Sequence, residues 1–235
     1  MNYKTEDARQ RETLKTLTSF LRKFPRLKPE KYLDLGCSDG SFTLKVANLL
    51  NAQEVYGVDR VSEILAEAER KGIKVYVADL NTDRLPFADG EFDVVSAFEV
   101  VEHLWNPGNI LNETYRVLKN KGIFILTTPN MASWINRLLL FFGYLPYAYE
   151  CPGKYGEDLE KRPFQKYPTC FGHTRLYTFK TLNKLLNQYG FNIIYSSSYA
   201  MGYVQRNALI LHLERIFSKL RKSLGSGIFL VATKE

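Results

Sequence analysis

Apolar positions along this chain alternate between two spacings. Over residues 6–24, Leu14, Leu17, Phe20 and Leu21 recur three and four apart, which is one face of a helix. Short apolar runs near 31–35, 54–58, 73–77, 93–98 and 122–127 read as strands. Helical spacing occupies the stretches between and after them, near 41–50, 61–71, 108–118, 131–142 and 179–189. Two more β-rich runs follow at 192–198 and 227–233. Strand–helix alternation of this kind predicts a parallel sheet covered on both faces, an α/β fold.

The first strand runs straight into chemistry. Tyr32-Leu-Asp-Leu-Gly-Cys-Ser-Asp-Gly40 is a strand, a Gly-rich turn and the start of a helix at Ser41. Glycine lets a ligand come close to the backbone, and the free N–H groups of a helix start face it. Nineteen residues on, Val55-Tyr-Gly-Val-Asp59 reads as a second strand that ends in an acid able to accept both hydroxyls of a ribose. The pair points to an adenosine-containing ligand. A dinucleotide site needs G-x-G-x-x-G, but Ser38 and Ser41 stand at the second and third glycine positions, which disfavours a nicotinamide dehydrogenase.

Asp34-x-Gly36-x-Ser38-x-Gly40 resembles motif I of the class I S-adenosylmethionine (SAM) methyltransferases, D/E-x-G-x-G-x-G, with Ser38 in place of the middle glycine. The order of later motifs is similar to the ubiquinone-type, type 11 small-molecule members. Val75-Tyr-Val-Ala-Asp79-Leu80 looks like the third strand and its acid, and Phe92–Leu104 like the fourth strand and the helix after it. Leu118–Asn130 looks like the turn into strand five, and His173-Thr-Arg175 like a segment before a late helix. The resemblance implies a Rossmann-like, doubly wound sheet of seven strands, mostly parallel with the last strand antiparallel. It implies SAM as cofactor and S-adenosylhomocysteine as product. It places Asp34, Gly36, Cys37, Gly40, Asp59, Arg60, Asp79, Leu80 and Phe98 around the cofactor. Asp79 is also the residue type of a turn, and Glu102-His103 that of an ordinary helical pair.

Composition narrows the class. At 235 residues and 45% hydrophobic, the chain fits one α/β domain, residues 1–235, with a helical N-terminal segment at 1–29 and a lid or substrate insertion at 131–172. Three cysteines, Cys37, Cys151 and Cys170, without metal-ligand spacing fit a reducing, cytoplasmic setting; no metal is expected. The opening Met-Asn-Tyr-Lys-Thr-Glu lacks the apolar core of a signal peptide, and no run is long enough to span a membrane. Net charge is +7, but residues 31–150 hold 11 basic against 16 acidic side chains, so the basic excess lies in the flanks. An acidic centre suits a cationic cofactor.

Methyl transfer is an in-line displacement that needs alignment, and a base when the acceptor is a hydroxyl. His173 is the first candidate base and His103 the second. The aromatics Trp134, Phe141, Phe142, Tyr144, Tyr147 and Tyr149 are expected beside the cofactor edge, forming an apolar wall for a small-molecule, lipid-like or glycan-precursor acceptor. No basic stripe for DNA is evident. Strand four ends Ala97-Phe98-Glu99-Val100 and not in the Asn/Asp-Pro-Pro-aromatic motif of amino-base methylases, which leaves RNA ribose or ring-carbon methylation as one alternative and a noncatalytic SAM-binding or partner-binding module as another. Over 205–222, Leu209, Leu213, Ile216, Phe217 and Leu220 share a helix face flanked by Arg206, Arg215, Lys219, Arg221 and Lys222; it either packs on the sheet or makes peripheral contact with an anionic membrane.

Overall fold

The computed structural model describes residues 3–154, 159, 163, 172–201 and 208–235. Seven strands form one sheet: β1 (Lys31–Leu35), β2 (Glu54–Asp59), β3 (Lys74–Val77), β4 (Phe92–Phe98), β5 (Leu118–Pro129), β6 (Phe191–Tyr199) and β7 (Gly227–Lys234). Their order is β3-β2-β1-β4-β5-β7-β6. All neighbouring pairs from β3 to β5 are parallel, and β7 lies antiparallel to both β5 and β6. This is the doubly wound sheet with one reversed final strand that the sequence implied.

Alternation along the strands divides the core in two. On one face Tyr32, Val94, Ile125, Phe229 and Val231 pack under the helices α1 (Tyr3–Leu21) and α2 (Ser41–Leu50), which contribute Leu17, Phe20, Val46 and Leu50. On the other, Leu33, Val95, Phe124 and Leu230 pack under α4 (Pro107–Val117) and α6 (Phe179–Gln188), numbered after α3 (Ser62–Arg70), with Ile110, Leu111, Leu182 and Leu186 facing inward. Burial of each such aliphatic side chain contributes about 1.5–3 kcal/mol. The N-terminal segment is therefore part of the core, since Leu17 and Phe20 are wholly buried.

Two boundaries moved for local reasons. Leu118, expected at a helix end, instead opens β5 by pairing with Phe92. The helix expected from 131 begins at Trp134, as α5 (Trp134–Phe141), because Asn130 folds back to accept the Ala132 N–H and Ser133 caps the helix through the Asn136 N–H. The last helix, α7, spans Ala208–Leu220.

Candidate functional site

The β1–α2 loop is held by backbone. The Gly36 and Cys37 N–H groups donate to the Val58 carbonyl at 2.7 and 3.1 Å, hooking the loop over β2. Gly36 (φ +80°) and Gly40 (φ +75°) are left-handed, which only glycine adopts at little cost. A Cβ on Gly36 would lie 2.5 Å from Val100 Cγ2, and one on Gly40 would collide with Ile73 and Ala68. Ser38, in place of the family's middle glycine, takes the same hand (φ +51°) and donates its N–H to Asp59 Oδ2 at 3.0 Å. The loop thus ties the ends of β1 and β2 together.

Beside it lies an open cleft, lined among others by Arg9, Asp34, Phe42, Phe98, Glu99 and Thr127. Asp34 is buried, and both its oxygens are used: Ser96 donates to one at 2.6 Å and Thr43 to the other at 2.5 Å. Tyr32 shares a hydrogen bond with the same Ser96. Burial still pushes the Asp34 carboxyl up to about 6. Asp39 stands just before α2, accepting from the Ser41 N–H and hydroxyl and from Lys71 Nζ at 2.8 Å. Those bonds hold its pKa below the usual range against the opposing effect of partial burial. Phe98 meets Phe42 edge-on, ring centres 5.1 Å apart.

Glu99 was not singled out by the sequence. It follows β4 with a left-handed backbone (φ +56°), a costly conformation for a residue with a side chain. Its N–H donates to Thr127 O at 3.1 Å, and its carboxylate stands between the Tyr199 hydroxyl, 2.5 Å away, and Arg9 of α1, 3.5 Å away. Glu99 and Arg9 thus put opposite charges on the cleft wall, one of them from a helix distant in sequence.

The remaining expected cofactor residues continue along the same sheet edge over β2 and β3. The Asp59 carboxylate also accepts the Val61 N–H at 3.2 Å, and Arg60 is exposed beside it. Asp79 forms a turn, its Oδ1 accepting from the backbone and side chain of Asn81 at 2.8 and 2.9 Å, which lowers its pKa. Its Oδ2 accepts nothing from the described residues. The Leu80 side chain is buried in the core. Cys37 is buried as well; burial, reinforced by Asp34 and Asp59, pushes its thiol well above the usual range.

His103 and His173 come together although seventy positions separate them, their ring centres 4.9 Å apart. Partial desolvation and the neighbouring His173 lower the pKa of His103. His173 has a side chain only 8% exposed, with Nδ1 3.0 Å from the Ala148 carbonyl and 3.4 Å from the Glu150 carboxylate. Neither histidine lines the cleft of Asp34 and Glu99; both stand beside Glu102, one short turn beyond it.

The expected aromatic wall is not at the cleft. No described residue of 131–154 lines it. Trp134 stacks on Phe217 of α7 at 5.0 Å, Tyr147 is buried against α5, and Phe141 and Phe142 are 82% and 66% exposed. The two hydrophobic helices satisfy each other first, since Ile135 and Leu139 also cluster with Ile210 of α7. Residues 155–158, 160–162 and 164–171, with Cys170, lie outside the described part of the insertion. On α7, Glu214 is buried against Ser226, while Ile216 and Leu220 are exposed; Arg206 and the side chains of Leu209 and Arg215 are outside the described residues.

Residues 33–126, from β1 into β5, match the family model of a methyltransferase domain, type 11. That segment, two fifths of the chain, is similar to SAM-dependent methyltransferases. A probable SAM-dependent methyltransferase of Mycolicibacterium smegmatis is 29% identical over 161 residues, 68% of this chain and 51% of that protein. The chain spans about half the length, or less, of the first curated relatives it matches. A SAM-dependent methyltransferase of Methanosarcina mazei superposes with a TM-score of 0.61 at 21% identity, covering 88% of this chain and 93% of the other. The [4+2]-cyclase SpnF superposes at 0.55 and 18% identity, covering 93% and 80%. At such identities the likeness is one of fold. Within this chain, the matched segment contains Asp34, Gly36, Asp59, Asp79, Phe98 and Glu99, whereas Arg9 and His173 lie outside it.

Proposed function

We propose that the protein transfers a methyl group from SAM to a small-molecule or lipid-like acceptor. The observation that carries the cofactor choice is Asp39. Its carboxylate fills the N-terminus of α2, the position where a dinucleotide fold receives pyrophosphate. A phosphate there would meet Asp39, with Asp34 and Glu99 close by on the cleft wall. The same acids suit a ligand that carries an ammonium and a sulfonium, so the residues present fit SAM.

When bound, SAM supplies a methyl group already activated by its sulfonium. The chain's own part is to bind and align. Asp59 accepts the ribose hydroxyls, and Asp79 faces the adenine. Phe98, braced by Phe42, packs on the apolar part. Glu99 and Arg9 take the ammonium and the carboxylate of the methionine end. His173 is the proton acceptor and His103 the second candidate. The exposed Leu220 beside Lys219, Arg221 and Lys222 supports peripheral contact with an anionic lipid surface.

Calorimetry with SAM, S-adenosylhomocysteine and NAD tests the cofactor; binding of NAD alone would overturn the reading. Incubation of the protein with methyl-labelled SAM and a fractionated cell extract tests the acceptor. Label should enter the small-molecule and lipid fractions. Label in RNA alone would mean an RNA methyltransferase, and tight SAM binding with no label in any fraction would mean a binding module. SpnF, a [4+2]-cyclase on a similar fold, is the reason to measure transfer itself. His173→Ala should slow turnover and leave SAM affinity nearly unchanged.

A further inference from the structure

We propose that Tyr199 is a positioning residue for the amino-acid end of the ligand: from β6 it fixes the Glu99 carboxylate in the cleft, where Glu99 meets an ammonium group. This role rests on the reading of Glu99 as the partner of the SAM ammonium.

The two residues stand at the ends of strands that are not neighbours. Tyr199 closes β6 and Glu99 follows β4, with β5 and β7 between those strands in the sheet. Tyr199 pairs with Gly227 of β7, and Gly227 pairs with Pro129 of β5. A Cβ on Gly227 would lie 2.5, 2.6 and 2.8 Å from three carbons of the Tyr199 ring. The ring therefore lies across the backbone of β7, at the one place where that strand carries no side chain. From there its hydroxyl donates to Glu99 Oε1 at 2.5 Å.

The hydroxyl is what sets this contact apart from packing, because a phenylalanine would fill the same space. Tyr199 is 3% exposed and reaches the cleft only through Glu99, whose side chain is 13% exposed and lines it. Burial, reinforced by Glu99, raises the Tyr199 pKa well above its ordinary value, so the phenol stays a donor throughout the neutral range. Bonds from a hydroxyl to a carboxylate are among the strong ones. Glu99 is held at its other points too. Arg9 Nη1 stands 3.5 Å from Oε2, and the Glu99 N–H reaches both the carbonyl and the hydroxyl of Thr127, at 3.1 and 3.2 Å. A free glutamate side chain loses much rotamer freedom when it is ordered. Ordering it before the ligand arrives removes that cost from binding. The benefit falls only to ligands that carry the ammonium.

The test compares two probes on the full chain by calorimetry. S-adenosylhomocysteine carries the amino-acid end, and 5′-methylthioadenosine lacks it. Tyr199→Phe should weaken S-adenosylhomocysteine about fivefold or more, within the range for coupled neighbours, and leave methylthioadenosine unchanged. In a Glu99→Ala background, Tyr199→Phe should cause no further loss. Gly227→Ala, which pushes the ring aside with its hydroxyl intact, is the second variant and should show the same selective loss. Equal weakening of both probes, or losses that add in the double variant, would overturn the role of Tyr199. So would unchanged S-adenosylhomocysteine affinity in Tyr199→Phe when Glu99→Ala alone weakens it. Unchanged affinity in Glu99→Ala would instead sink the ammonium reading of Glu99, and the role of Tyr199 with it.

Discussion

Gly57 on β2 makes room for Cys37 in the β1–α2 loop: a methyl group on Gly57 would lie 2.6 Å from the Cys37 sulfur and 3.0 Å from its Cβ. The loop can sit over β2 only because β2 has no side chain there. Gly57→Ala should therefore push the loop outward, destabilise the fold by about 1–3 kcal/mol and weaken SAM binding. Adding Cys37→Ala should recover part of both losses. Melting curves and calorimetry on the two variants decide it; a single variant indistinguishable from wild type would show that the loop tolerates displacement.

Asp34 gives the site a pH dependence. Its folded pKa of about 6 lies above its unfolded value near 3.8, because burial disfavours the charge. Its contribution to stability is thus fully present below about pH 4 and is lost as pH rises through 6, on the order of 3 kcal/mol in all. A cationic ligand reverses the preference by favouring the carboxylate. SAM affinity should rise between pH 5 and 7, with proton release seen as buffer-dependent heat near pH 6. Asp34→Asn should flatten both trends, and unchanged trends in that variant would place the titrating group elsewhere.

Asp59 holds the loop through the Ser38 N–H, and the proposed function gives it the ribose hydroxyls as well. Asp59→Ala should weaken SAM by about 1.5–3 kcal/mol, the scale of hydrogen bonds to a charged group. Asp59→Asn, which keeps an acceptor for Ser38, should lose less. Equal losses in the two variants, measured by calorimetry, would show that charge and not loop support dominates.

Phe98 lines the cleft but also braces Phe42 at 5.1 Å. Phe98→Ala should lower SAM affinity by a larger fraction than it lowers the free energy of unfolding. A large drop in melting temperature with affinity intact would make it a packing residue.

The sheet was legible because its signals are local. The apolar runs of β1 to β7 and the turn Gly36–Gly40 carry their own geometry, and Asp59 follows from the strand before it. The parts that escaped are those made by long-range approach. Arg9 reaches Glu99 across ninety positions, and nothing in the spacing of α1 announces it. Glu99 left one trace, an acid directly after the last strand residue, whereas its left-handed backbone is visible only in three dimensions. Glu102 and His103 meet His173 only in three dimensions, because the third member of the cluster arrives from another segment. The aromatics of 131–149 were misplaced for a related reason: periodicity identifies an apolar face but not its partner, and α5 found α7 before the cleft.

The reversed strand β7 has a consequence for how the chain is made. It separates β5 from β6 and pairs with both, so that half of the sheet has no centre until residues 227–234 exist. Roughly a hundred residues must be synthesised after β5 ends, which takes about 5–20 seconds at ribosomal rates. Throughout that interval Phe124, Ile125 and Leu126 stand on an unpaired strand edge. A nascent chain stalled before residue 227 should therefore recruit holding chaperones, while one released past residue 234 should shed them.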